Sequence, residues 1–322
     1  MRPPSDGLLR ELVALLPALA TAAPAAIPLA RIDLRGPDAL DFAQRIAAQD
    51  LAALADLHCA PTAFLTAKGK LVATALAIRD GDGLVLAVPL EQADELAALL
   101  ERYHFSEKLT IARAGALRAE ELVGLAVAER LALAPGHAAR RAGALVAVTA
   151  RGGVQRALAL ADAGAEPLFA GERLAFAWRE GLRIAAGDPR VGVDTDERTL
   201  ALEAGLDDHL STTKGCYVGQ EIVARIHSYG HVNRRLVRLR IDAELPLAAG
   251  ASLRDAELGE PIGRVTSAVA LPGQAITLAL GWLPEAFLAE PAAFTSGAVQ
   301  LAEAAAVAVQ VAGLAPAQTA SA

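Results

Sequence analysis

The densest run of reactive side chains is Lys214-Gly215-Cys216-Tyr217-Val218-Gly219-Gln220-Glu221, followed by Arg225 and by Tyr229-Gly230-His231-Val232-Asn233-Arg234-Arg235-Leu236. Two glycines bracket a thiol, and a lysine stands two residues before it. A nearby cation and a helix start just downstream are features that favour a reactive thiolate. Without more to go on, a lone cysteine is more often a buried small hydrophobe, and the residues alone leave both readings open. Glu221 and Arg225 lie four apart on the helix predicted from Gly219 onward, so they can share one face as an ion pair. His209, His227 and His231 are close enough in sequence to suggest a Cys–His hydrolase, but closeness in sequence does not place a base and nothing marks an oxyanion hole.

The other candidates are weaker. Cys59 and Cys216 are the two cysteines, with no CxxC spacing and no Cys/His cluster, so no self-contained metal site is expected. A chain of 322 residues, 54% hydrophobic, has enough core to do without a disulfide, and both thiols are expected free in a reducing compartment. The net charge of −7 provides no global field for a nucleic-acid backbone. Arg234, Arg235, Arg238 and Arg240 form a local basic run without interleaved aromatics, read as a solvated strand face, and direct nucleic-acid contact is not expected. The uncharged stretch from Leu12 to Ala30 contains Pro17, Pro24 and Pro28, which would break a spanning helix, while Asp6 and Glu11 spoil a secretory n-region. A cytoplasmic protein with no membrane partner is the expectation.

Several elements must position these residues. Ile32–Leu34 reads as a strand, and Leu40, Ala43, Ile46 and Ala47 follow at helical spacing. Thr62–Leu65, Leu71–Ile78 and Leu84–Val88 read as strands of an antiparallel meander, joined through Lys68-Gly69-Lys70 and Gly81-Asp82-Gly83. A helix is predicted over Leu90–Tyr103 and a strand over Lys108–Ala112. After Pro135-Gly136 a similar order is expected: strand Ala144–Val148, helix Val154–Ala163, strand Arg173–Trp178 and a helix-compatible run from Asp196. Beyond His231, the segments Arg235–Ile241, Ile262–Ala270 and Ile276–Trp282 read as strands of a small barrel or sandwich. The expected organisation is an N-terminal helix and loop (1–30), an α+β region of two interleaved subdomains (31–230), a C-terminal β-barrel (231–313) and a disordered tail (314–322).

Lys-Gly-Cys-Tyr-x-Gly-Gln-Glu resembles the signature of the YgfZ family. These are folate-binding proteins similar to the glycine-cleavage T-protein and to mitochondrial iron–sulfur assembly factors. Ala67-Lys68-Gly69-Lys70, Leu100-Glu101-Arg102-Tyr103 and Leu182-Arg183-Ile184 fall in the family's order, so the resemblance covers roughly Ile32 to Leu283. It implies two interleaved, ferredoxin-like α+β domains and a C-terminal β-barrel around a folate channel. It also implies tetrahydrofolate, or a one-carbon derivative, as the cofactor. The segment Thr199-Leu200-Ala201-Leu202-Glu203-Ala204-Gly205 looks like the one whose glutamate bonds the pterin in T-protein relatives. Glu203 inherits that role, and a carboxylate accepting paired N–H groups suits it. Arg225 matches the arginine that helps hold the anionic folate tail. Lys214, Tyr217 and Gln220 complete the expected folate contacts, and Cys216 is the functional thiol.

The resemblance offers two kinds of function. Aminomethyl transfer, as in the T-protein, needs an acidic residue near the folate N5, yet the corresponding stretch here reads Leu71-Val72-Ala73-Thr74-Ala75-Leu76. The preferred expectation is therefore an accessory protein that binds reduced folate and uses Cys216 in iron–sulfur cluster assembly or repair. Its partners would be iron–sulfur client or assembly proteins, tRNA-thiolating enzymes among the clients. A folate-dependent aminomethyl or methyl transferase and a non-catalytic folate-binding module are the alternatives.

Overall fold

The computed structural model describes residues 23–312 except 231, 291, 292, 294, 303 and 305, together with Leu8, Glu11, Leu12 and Leu15. The elements in chain order begin with β1 (Ala23–Ala26), β2 (Leu29–Arg35), α1 (Ala39–Ile46), β3 (Cys59–Leu65), β4 (Leu71–Asp80), β5 (Gly83–Pro89), α2 (Ala93–Tyr103) and β6 (Thr110–Arg113). There follow β7 (Leu117–Gly124), α3 (Val127–Leu131), β8 (Ala138–Arg141), β9 (Ala144–Arg151), β10 (Val154–Asp162), α4 (Phe176–Ala185) and α5 (Gln220–Tyr229). The last group is β11 (Arg234–Ile241), β12 (Ser252–Asp255), β13 (Pro261–Ala270), β14 (Thr277–Pro284), α6 (Glu285–Leu288), β15 (Val299–Leu301) and β16 (Val309–Ala312).

Three antiparallel sheets organise these elements. The first runs β3-β4-β5-β2-β6, the second β1-β7-β10-β9-β8, and the third closes as a six-stranded barrel, β11-β14-β13-β12-β15-β16. The architecture agrees with the α+β expectation and its terminal barrel. The chain interleaves the first two sheets, because β1 pairs with β7 at the edge of the second while β2 sits inside the first. The sheets pack face to face through Ile78, Val85 and Ala87 of one against Ala119, Leu145, Ala147 and Leu160 of the other. Helices α1 and α2 cover the opposite face of the first sheet with Phe42, Ile46, Leu96 and Leu100. That face-specific burial follows from the i, i+3, i+4 spacing of their apolar residues.

Some local expectations give way. Val154–Ala163 is the strand β10, not a helix. Its alternate residues Ala157, Ala159 and Ala161 enter one core while Leu160 enters another, so a central strand covered on both faces shows no polar alternation. The alanines, strong helix formers, misdirect the reading. The informative residues are Gly152 and Gly153, both at positive φ, which form a two-residue turn between the paired residues Arg151 and Val154. Arg173–Trp178 is not a strand; it leads into α4, whose internal Gly181 lets the helix approach Leu271 of the barrel. The run from Asp196 forms turns instead of a helix. Residues 23–26 form β1 where a loop was expected, and the rest of the N-terminal expectation, like His231 and the tail 314–322, lies mostly or wholly outside the described residues. No helix among the described residues is long and apolar enough to cross a membrane.

Candidate functional site

Two distant parts of the chain converge beside α1: the β3–β4 turn, and the stretch 196–221 that ends in the signature Lys214–Glu221. Leu71 N donates to Thr199 O at 2.9 Å, and Lys70 faces Leu200 in an isolated antiparallel bridge. Ser211 N donates to Ala48 O at 2.9 Å and Val218 N to Arg45 O at 3.3 Å, which seats the signature on the end of α1. Leu236 N of β11 donates to Glu203 O at 2.9 Å, joining the barrel to the same assembly.

Two glycines set the approach of α5. Gly219, at φ +85°, precedes the helix, and a Cβ there would stand 2.7 Å from Thr66 O. A Cβ on Gly69, at φ +71°, would stand 2.7 Å from Ile222 Cβ. The glycines of Ala67-Lys68-Gly69-Lys70 and of the signature are thus two halves of one close crossing of the turn and the helix.

Lys214 is buried and points into the fold. Its Nζ donates to Gln44 O at 2.6 Å, Ala47 O at 2.6 Å and Gln49 O at 2.9 Å, occupying all three ammonium protons at the C-terminal end of α1. It also lies 4.8 Å from the centroid of the Tyr217 ring. Burial pushes the ammonium down to about 8, with Asp50 acting in the opposite sense. With its donors committed, Lys214 serves as an anchor, not as the free cation expected to contact folate or the thiol. Gln220 likewise braces the loop, its Nε2 donating to Lys214 O at 3.3 Å.

Cys216 rides on this anchored loop and is exposed and free, with no hydrogen-bond partner among the described residues; Cys59 is free and buried. The reading of Cys216 as a packed hydrophobe therefore fails. The Cys–His arrangement does not assemble either: His209 is buried with Nδ1 2.8 Å from Asp208 Oδ1, and His227 is exposed. Glu221 and Arg225 are both exposed and form no ion pair among the described residues.

Glu203 is buried, 7% exposed, and its Oε2 accepts Leu200 N at 3.1 Å and lies 3.5 Å from Arg234 Nε. The Arg234 guanidinium stacks over Trp282 at 4.3 Å and also reaches Asp196. Tyr217, 7% exposed, belongs to the same packed cluster as Ala201, Ala204 and Trp282. Its hydroxyl is buried without a hydrogen-bond partner, and burial pushes the phenol up to about 12. A buried, unserved hydroxyl costs about 1–3 kcal/mol.

The basic run is not the solvated face expected of it. Arg234 serves Glu203 and Asp196, Arg235 pairs with Glu285 at 2.6 Å, and Arg240 pairs with Glu11 and Asp242. Arg238 is buried and donates to Ala185 O at 2.9 Å. Arg234, Arg238 and Arg240 brace the barrel against another part of the chain, while the Arg235 pair stays within the C-terminal unit.

A second polar centre escaped the sequence reading. Arg183 is 8% exposed and binds Glu180, Asp194, Asp188 O and Ser267 Oγ, while Asp194, 1% exposed, also accepts Thr266 and Ser267 hydroxyls. Beside them is a cavity of about 30 Å³ lined by Glu121, Val123, Arg156, Arg179, Glu180 and Arg183, room for about one water. Leu182-Arg183-Ile184 enters the sequence reading only through the family resemblance; a charge at an apolar helical position is the available clue.

No family model matches the chain. The solved aminomethyltransferase T of the glycine cleavage system from Bartonella henselae superposes with a TM-score of 0.71, covering 95% of this chain and 88% of that one at 20% identity. That likeness establishes the fold. In sequence, the chain is 38% identical over 78 residues to an iron–sulfur cluster assembly factor IBA57 homologue of Neosartorya fischeri, 24% of this chain and 16% of that one. It is 44% identical over 55 residues to mouse IBA57, 16% of this chain and 15% of that one. The chain has the fold of an aminomethyltransferase T and short segments similar to proteins named IBA57. A chloroplastic protein of Arabidopsis thaliana, At1g60990, matches at 37% over 91 residues, 28% of this T-protein-like chain and 20% of that one. The aligned segments thus span no more than a fifth of these curated relatives.

Proposed function

We propose that this T-protein-like chain binds tetrahydrofolate, or a one-carbon derivative of it, and acts as an accessory factor in iron–sulfur cluster assembly or repair. Its clients would include tRNA-thiolating enzymes, and its place of action would be the cytoplasm. The single observation that carries the reading is the solvent-exposed Cys216 on a loop locked by Lys214, Gln220 and Gly219. A thiol meant only for packing is buried, as Cys59 is. The relationship to proteins named as iron–sulfur assembly factors supports the same reading.

The residues fit a reduced folate. The orphaned Tyr217 hydroxyl can accept or donate a hydrogen bond, and the Glu203 carboxylate can accept pterin N–H groups while Arg234 steadies its charge. Exposed Arg225 is available for the anionic glutamyl tail. When bound, the folate would supply a one-carbon carrier. The protein's own contribution is to orient the ring and to hold the thiol at the surface. Aminomethyl transfer is less well supported, because Leu71–Leu76 of β4 carries no carboxylate to position a reacting amine.

The test is client iron–sulfur enzyme activity in cells lacking the protein and supplied with native chain or Cys216→Ala, with folate binding of both purified proteins measured alongside. Failure of the variant to restore activity while it still binds folate supports the proposal. Full restoration reduces the chain to a folate-binding module, and absence of folate binding by the native chain removes the cofactor half of the reading.

A further inference from the structure

Away from this site, residues 57–59 and 136–138 stitch the first sheet to the second. Cys59 N donates to Gly136 O at 2.8 Å, Ala138 N to Leu57 O at 2.6 Å, and His58 stands directly opposite His137 in an antiparallel bridge. The two imidazole rings lie with centroids 4.3 Å apart at an interplanar angle of 44°. His137 is exposed and His58 half-buried.

The ring orientations fix the tautomers. His58 Nδ1 lies 3.0 Å from Asp56 O and His137 Nδ1 lies 3.3 Å from Pro135 O. A carbonyl oxygen can only accept, so each Nδ1 carries a hydrogen, which in the neutral imidazole leaves the lone pair on Nε2. Neither Nε2 has a partner among the described residues. Two imidazoles, each donating one nitrogen to a backbone carbonyl and presenting the other bare, reproduce the outer arrangement of histidine ligands around transition metals.

We propose that His58 and His137 form a two-histidine site for a divalent late transition-metal ion, Cu(II) or Zn(II), bridging the seam between the two sheets. Metal–nitrogen bonds of about 2.0–2.1 Å require the two nitrogens about 3–4 Å apart. The ring centroids, 4.3 Å apart, already stand close to that separation. The neighbouring thiol is not a ligand: Cys59 is buried and its Sγ donates to Val148 O at 3.5 Å. No group of three or more His, Cys, Asp or Glu side chains gathers in metal-binding geometry among the described residues, so water completes the shell. Between the two ions, Cu(II) binds such nitrogen sites more tightly.

The test is titration of the full chain with Cu(II) against a chelating indicator, comparing native protein with His58→Gln, His137→Gln and the control His227→Gln. One tight equivalent in the native protein and the control, weakened at least about tenfold by each seam substitution, supports the site. Unchanged affinity in His137→Gln, or an equal loss in His227→Gln, overturns it. Zn(II) supplies a second readout independent of colour: it raises the thermal midpoint of the native chain and leaves that of both seam variants unmoved. An equal rise in all four proteins also overturns the proposal.

Discussion

Replacing Lys214 by methionine tests whether the signature lysine is an anchor. The stem volume is kept while three donors vanish from Gln44 O, Ala47 O and Gln49 O. A buried carbonyl that loses its donor costs about 1–3 kcal/mol. The contact to Ala47 O is fully buried and bears that cost in full, whereas those to Gln44 and Gln49 are partly buried and can be served by water. The sum is about 2–4 kcal/mol. At about 1.5 °C per kcal/mol for a chain of this size, the thermal midpoint falls by about 3–6 °C. Lys214→Arg recovers little, because a planar fork cannot meet three carbonyls converging on one point. Calorimetry and urea titration read the loss, and tetrahydrofolate titration of the folded variant is the companion measurement. A variant as stable as the native chain but defective in folate binding would refute the anchoring argument and restore the lysine as a ligand contact.

Gly219→Ala should cost about 2–4 kcal/mol by urea midpoint, since it adds left-handed strain to a 2.7 Å approach to Thr66 O; Gly230→Ala, at φ +70° in open space, should cost only about 1–2 kcal/mol. Equal losses would remove the crossing argument. Burial works to raise the Asp188 carboxyl, but Arg156, Arg151 and Arg183 hold it below its ordinary 3.8. A carboxylate depressed in the folded state contributes stability above that value and loses it as pH falls further. Asp188→Asn should therefore flatten the acid limb of the stability curve below about pH 4. An unchanged limb would place acid sensitivity elsewhere. With a small disulfide reagent, the native protein should show one fast thiol, Cys216, with Cys59 reacting only on unfolding; two fast thiols would contradict the buried seam.

Much of the fold was legible because its signals are local. The apolar spacing of α1 and α2 and the glycine turns of the first sheet mark these elements without help from distant residues. β10 and α4 were missed because their patterns depend on neighbours: a strand sandwiched between two cores loses its alternation, and a glycine inside α4 looks like a breaker until the barrel hairpin lies against it. The same division holds at the site. The helix start after Gly219 could be read directly. The partner of Lys214 could not, since its three carbonyls lie about 165–170 residues earlier. Nor could the neutralisation of the arginine run, which draws on acids as remote as Glu11 and Glu285.

The exchange of β1 into the second sheet bears on how the chain is made. Its partner β7 begins at Leu117, beyond the last strand of the first sheet, so β1 leaves the ribosome long before anything exists to receive it. The first sheet can close while that edge strand waits unpaired. The second cannot finish until β7–β10 have been synthesised, and Lys214 fastens α1 later still. The second sheet cannot be cut out as one continuous segment, and chains stopped between residues 113 and 162 would expose a bare strand edge to their neighbours.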